Sequence, residues 1–270
     1  MWTKKMFGVE KPIIALLHVR ALPGDPLYDS EGGLEKVISI AEKELADLQD
    51  GGVDGIAFAN EFSLPYQKKV DYVTVSTLAY IIGRLRSKIH VPYGINVVMN
   101  PFASIDLAAA TGASFVRSAF TGAYVGEAGI LDTDVANVVR RKHYLCVPDL
   151  KMFYKVNPES DTYLAPRDID LITKSIIFHC APDALCVSGE SSGSETDINL
   201  LKKVSGIAGD IPVFCNTGCN VQNIIEKLQC CDGAFVGTTF KIDGKFHNVV
   251  DPMRVKEFMD TVKAYRKTLE

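Results

Sequence analysis

Short apolar runs of strand length alternate along this chain with longer segments whose apolar residues recur every three or four positions. The runs begin at Ile13 (IIALLH), Gly55 (GIAFAN), Tyr93 (YGINVV), Phe115 (FVRS), Leu145 (LCVPDL), Ala184 (ALCVS), Val213 (VFCNT) and Gly233 (GAFVG). They are almost continuously apolar, as parallel strands buried on both faces must be. The clearest helix covers 33–50, where Leu34, Val37, Ile38, Ala41, Leu45 and Leu48 share one face and Gly51 and Gly52 supply the stop. Further helices are predicted around 75–88, 103–110, 134–141, 167–178, 195–204, 221–228 and 253–268. Eight strand-then-helix units without a break in composition predict an α/β chain, a single (β/α)8 TIM barrel over 1–270. The longest irregular pieces, 20–32 and 151–166, follow the first and fifth predicted strands. Long loops at strand C-termini are where such barrels keep their sites.

Size and composition agree. The chain has 270 residues, 47% apolar and 23% charged, enough for one large core without a linker or second domain. A net charge of −4 gives no electrostatic case for nucleic acid. No apolar run is long enough to span a bilayer, and the N-terminal MWTKKMFGVEKP lacks the apolar stretch of a secretory signal. The seven cysteines are odd in number, contain no CxxC pair and mostly sit in apolar runs. They read as small buried hydrophobes in a reducing, cytoplasmic setting rather than disulfides or a zinc site. No metal or other cofactor is predicted: a divalent ion is compatible with the chain, but no ligand spacing indicates one.

Chemistry in a barrel belongs where strands end, and here most predicted ends carry a polar residue. His18 closes the first strand, either as a hydrogen-bonded structural histidine or as a general acid/base or substrate donor. Asn60 and Glu61 close the second and Asn96 the third. Arg117 lies within the apolar fourth strand, where it needs a carboxylate partner or a ligand anion. Asp149 and Lys151, two apart near the fifth strand, are a plain ion pair or a positioned base with a carbonyl-polarising ammonium. Glu190, after the sixth, is an acid/base group or a solvated loop residue. The last three strands end in bursts of small residues: Ser188 and Gly189, then Asn216, Thr217 and Gly218, then Gly237 and Thr238. Such turns let backbone amides approach an anion without a basic side chain, so this corner is the expected phosphate site.

The ordered motifs HVRALPGDP (18–26), GGVDGIAFANEFSLPY (51–66), GINVVMNPFASIDLAAATGASFVR (94–117), PDALCVSGESSG (182–193), PVFCNTGCNVQNI (212–224) and CDGAFVGTTFKIDGKFHNVVD (231–251) together resemble the BtpA/SgcQ family, the SgcQ-like branch most closely. The resemblance implies a barrel of the ribulose-phosphate-binding type. It also implies a connection either with photosystem I accumulation or with sugar and sugar-phosphate metabolism. By motif position it places His18, Asn60, Asn96 and Arg117 at the mouth and Gly189, Gly218 and Gly237 at the phosphate. Ala59 stands where many relatives have Glu, Ser63 where they have Asp, and DLKMFYK departs from their fifth-strand pattern, so that Lys151 or Lys155 is the substitute there.

The leading expectation is therefore an enzyme acting on a small phosphorylated compound such as a sugar phosphate, by isomerase, epimerase or lyase chemistry. Its expected catalytic groups are His18, Arg117, Asp149, Lys151 and Glu190. Asn60, Asn96, Ser188, Gly189, Asn216, Thr217, Gly218, Gly237 and Thr238 would bind the substrate. The alternatives are a non-catalytic photosystem I assembly-type or regulatory protein and a nucleotide phosphohydrolase, although no GxxxxGK[ST] loop is present for the latter. From the resemblance the protein is expected to be a homo-oligomer.

Overall fold

The computed structural model describes residues 1–191 and 193–269. Eight parallel strands close into a barrel: β1 (Ile13–His18), β2 (Gly55–Ala59), β3 (Tyr93–Asn96), β4 (Phe115–Ser118), β7 (Lys151–Lys155), β9 (Ala184–Ser188), β10 (Val213–Asn216) and β11 (Gly233–Val236). Outside it, β5 (Ala123–Gly126), β6 (Gly129–Asp132) and β8 (Thr162–Tyr163) form a small antiparallel sheet. Each predicted helix is present: α2 (Gly33–Gly51), α3 (Tyr72–Leu85), α4 (Pro101–Thr111), α5 (Val135–Tyr144), α6 (Ile169–Cys180), α7 (Ile198–Ala208), α8 (Ile224–Cys230) and α9 (Pro252–Arg266). Several start as their sequence dictates. Asn100, Asp134, Asp197 and Asp251 each accept a first-turn amide through the side chain, and proline occupies the first turn of α4 and α9.

Alternation along the strands sorts the core into two layers. One set of residues faces the helices. The other fills the barrel, where Phe115, Phe153, Phe214 and Phe235 meet mostly edge to face with ring centroids 5.0–6.3 Å apart. Gly94 on β3 is what admits the first of these, since a Cβ there would lie 2.2 Å from the Phe115 ring.

Three features depart from the sequence reading. A short N-terminal helix, α1 (Trp2–Phe7), stoppers the barrel at the N-terminal ends of the strands. Its Phe7 meets Phe115 at 5.9 Å and its Trp2 meets Phe153 at 5.6 Å. The stretch 119–133, which carried no prediction, and part of 151–166 supply the small sheet. Finally, the fifth barrel strand is Lys151–Lys155 and not LCVPDL. Pro148 has no amide to give a central ladder, so 145–150 instead form the turn that leads from α5 into the strand.

Candidate functional site

Parallel closure puts all eight strand C-termini at one mouth. The shift of the fifth strand therefore decides which residues reach it. Asp149 and Lys151 do not: they lie at the strand's N-terminal end, at the opposite face of the barrel. Asp149 is exposed, and Lys151 donates to Asp183 Oδ1 at 2.8 Å, on the turn entering β9. The pair expected to do acid–base work is thus a correction. Lys155, four residues on, closes the strand at the mouth.

Arg117 is the hub of that mouth, only 2% exposed. Its Nη1 donates to Asn216 Oδ1 at 2.6 Å, and its Nη2 lies 3.9 Å from Glu61 Oε1. The Asn96 amide, oriented to satisfy both of its groups, donates to the Arg117 carbonyl at 2.8 Å and accepts from Nη2 at 3.0 Å. The guanidinium carbon stands 5.0 Å from the centre of the Phe235 ring, which floors the site. Asn216 in turn donates to Ser188 Oγ at 2.7 Å and Glu159 Oε1 at 3.0 Å. One continuous polar network thus spans β3, β4, β9 and β10, and only Nε of Arg117 has no acceptor among the described residues.

Beside this network opens a cavity of about 350 Å³, whose walls include Glu61, Tyr66, Asn96, Ser118, Lys155 and Glu159. Two cation–carboxylate pairs border it: Lys155 with Glu159 at 3.8 Å on the wall, and Glu61 on the wall with the buried Arg117 behind it. Tyr66 donates to Glu61 Oε2 at 2.8 Å, and burial, reinforced by the Glu61 charge, pushes its phenol well above the usual value. The small sheet caps the cavity through Glu127, Ala128 and Leu131. Facing Glu127, the Asp161 carboxyl is raised by burial first and by that like charge second.

On the β11–β1 side the mouth is cationic. His18 is buried, its Nδ1 has no partner among the described residues, and its Nε2 edge abuts Gly237, where a Cβ would stand 2.9 Å away. Burial, then the charges of Lys241, Arg117 and Arg20, drive the imidazole well below its ordinary value, so it is neutral. Lys241, also buried, donates to the Phe246 carbonyl at 2.9 Å, and burial lowers its ammonium to about 8.

The small-residue corner is tighter than its composition implies. A Cβ on Gly189 would fall 2.5 Å from the Ser194 carbonyl oxygen, and one on Gly218 2.2 Å from the same atom. These two glycines make room for the chain's own loop, which Lys227 fastens by donating to the Thr196 carbonyl and pairing with Glu195, each at 2.7 Å. The notable residue is Thr217, a β-branched residue at φ 92° whose buried Oγ1 has no partner among the described residues. Thr238 opens the turn after Gly237, opposite the loop tip at Gly193.

Of the other sequence candidates, Asn60 ties the loop after β3 by accepting from Val98 N at 2.8 Å. Glu190 is exposed on the rim, where its carbonyl accepts from Ser160 N. Tyr66, Glu159 and Lys241 carried no sequence signal of their own, because each reaches the mouth from a loop. No group of three or more His, Cys, Asp or Glu side chains among the described residues is placed to hold a metal ion. No helix there is long and apolar enough to cross a membrane.

Comparison with known proteins gives the relationship. The solved structures it resembles include the phosphoribosyl anthranilate isomerase of Thermococcus kodakaraensis (16% identity, TM-score 0.56, covering 94% of this chain and 99% of that one). They also include the Xanthomonas albilineans dihydropteroate synthase (13% identity, TM-score 0.60, 96% and 92%). At such identities the likeness is one of fold. In sequence, the chain is 47% identical over 266 residues to the "Putative sgc region protein SgcQ" of Escherichia coli K12, covering 98% of this chain and 99% of that protein. It is 29% identical over 259 residues to the "Photosystem I biogenesis protein BtpA" of a Synechocystis species, covering 95% and 89%. The BtpA family model matches residues 9–264, so the chain belongs to the BtpA family.

Proposed function

We propose that this protein is an enzyme that moves a proton beside a carbonyl group of a small phosphorylated compound, a sugar phosphate, in an isomerisation, epimerisation or lyase reaction. The observation that carries the reading is the cavity lined by Glu61, Glu159 and Lys155, where Lys155 pairs with Glu159 and the buried Arg117 stands behind Glu61. Glu61 takes the proton, with Tyr66 steadying its second oxygen. Lys155 and Arg117 stabilise the negative charge that develops on the carbonyl oxygen. The acidic walls favour the hydroxyl-bearing end of the substrate in the cavity. The phosphate sits across Asn216, at Thr217, Gly237 and Thr238, near neutral His18. No cofactor enters this scheme.

The test is a thermal-shift screen of the purified protein against inorganic phosphate, pentose and hexose phosphates, nucleotides and divalent metals. A sugar phosphate that raises the melting temperature is then incubated in D2O with the protein and followed by proton NMR. Loss of a carbon-bound proton signal, slowed about 10²–10⁴-fold in Glu61→Gln, is the expected outcome. A screen in which no phosphorylated compound shifts the melt overturns the reading. It would favour a non-catalytic role; the Synechocystis relative is named a photosystem I biogenesis protein.

A further inference from the structure

Behind the small-residue corner, on the helix-facing side of β10, lies a group of buried sulfurs that the proposed chemistry does not use. Cys219 Sγ donates to Cys215 Sγ at 3.3 Å, and both side chains are buried. The two residues bracket the Asn216–Thr217–Gly218 turn, in which both Thr217 and Gly218 have positive φ. The Lys227 ammonium, itself buried, acts on both thiols from α8.

We propose that Cys215 and Cys219 are a redox modification site that closes to an intramolecular disulfide on exposure to a peroxide. Cys215 is the attacking sulfur. Its thiolate displaces hydroxide from hydrogen peroxide, forming Cys215 sulfenic acid, and the hydroxide takes up the proton that Cys215 gave. The Cys219 sulfur then attacks the Cys215 sulfur; the S–S bond forms, the S–O bond breaks, and the sulfenic hydroxyl takes up the Cys219 proton and departs as water. Overall two thiols lose two electrons and two protons, and one peroxide becomes two waters. A thiol reductant reverses the bond.

Burial in apolar surroundings silences most cysteines, and two neighbours show the effect: burial pushes Cys186 and Cys231 each up to about 12. Cys215 differs in what surrounds its sulfur. The Cys219 proton, the Thr196 hydroxyl and the Lys227 charge favour its thiolate and outweigh burial, so its thiol lies below the usual value, whereas Cys219 is held well above it. The contact itself sets the roles: Cys219 donates its proton to the Cys215 sulfur at 3.3 Å, which leaves Cys215 as the sulfur that attacks and Cys219 as the resolving partner beside it. The sulfurs need to close from 3.3 Å to the roughly 2 Å of a disulfide. That closure has to be taken up by the intervening turn, which carries Asn216, the residue that links Arg117, Ser188 and Glu159.

The experiment treats the full-length folded protein with hydrogen peroxide, quenches it, alkylates it in denaturant and maps the tryptic peptides. Cys215 and Cys219 fall in one peptide, 204–227, because no Lys or Arg lies between Lys203 and Lys227. That peptide is expected to lose the mass of two hydrogens and both alkylation sites, and to regain them after dithiothreitol. In Cys219→Ser, shown by circular dichroism to melt cooperatively, Cys215 is expected to be trapped by dimedone as a sulfenic acid. In Cys215→Ser, Cys219 is expected to stay a free thiol. If both cysteines remain alkylatable under peroxide that already oxidises the exposed Cys146, the proposal is overturned. Dimedone capture at Cys219 in place of Cys215 would overturn the assigned roles.

Discussion

The argument at the scale of single residues turns on Arg117, because a buried guanidinium is stable only while its partners remain. It holds Asn216 directly, shares Asn96, and faces Glu61. Replacing it with Met removes the charge opposite Glu61 and leaves the Asn216 oxygen without its donor. The expected cost is about 3–5 kcal/mol of stability, read from the urea midpoint at an unchanged m-value. Arg117→Lys keeps a charge but not the fork, and should fall between. His18 gives a pH signature. Its folded-state value is depressed well below the ordinary 6.5, so below pH 6.5 the unfolded chain binds a proton that the folded chain refuses. Stability from this group is therefore complete above pH 6.5 and is lost as the pH falls from there towards the folded-state value. His18→Gln should flatten that acid limb in urea melts taken between pH 7 and 5; a limb of unchanged slope would contradict it. Arg117 was legible in the sequence because an arginine inside an apolar strand has to find a partner. The Glu61–Tyr66 contact was not, since it depends on how the four residues between them turn the chain back on itself.

Among elements, legibility follows periodicity. Eight helices and seven of the eight barrel strands were found from apolar spacing, because each buries one continuous face or run. At the fifth strand hydrophobicity alone misleads. LCVPDL is the more apolar stretch, yet KMFYK, with Met152, Phe153 and Tyr154 buried between two lysines, is what enters the sheet. The Pro148 objection was already present in the sequence. The other miss, α1, is too short to show a period, and its role is to plug the barrel. Phe7 is buried, and Trp2 donates its indole proton to the Asp183 carbonyl at 3.0 Å. Removing residues 1–8 should uncover Phe115 and Phe153 at the closed end. A loss of about 3 kcal/mol is expected from the apolar area returned to water, measured as a lower urea midpoint. The mouth should keep its ligand response.

For the molecule as a whole, the barrel separates its two ends by task, and misplacing one strand by a few residues is enough to exchange them. Asp149 and Lys151, read as catalytic from sequence, belong to the closed end, where Lys151 bonds Asp183 and its ammonium lies 5.5 Å from the Trp2 ring centre. Lys155 belongs to the mouth. The separation gives a paired prediction. Lys151→Met should lower the melting temperature by a few degrees, since a partly buried ion pair is broken, while the thermal-shift response to a stabilising sugar phosphate is unchanged. Lys155→Met also breaks a partly buried pair, with Glu159, so its melting temperature falls by at least as much, but here the ligand response falls as well, at least tenfold in apparent affinity. Equal losses of ligand response in both variants would mean that the closed end and the mouth are energetically coupled. Loss in Lys151→Met alone would return the site to the end where the sequence first put it.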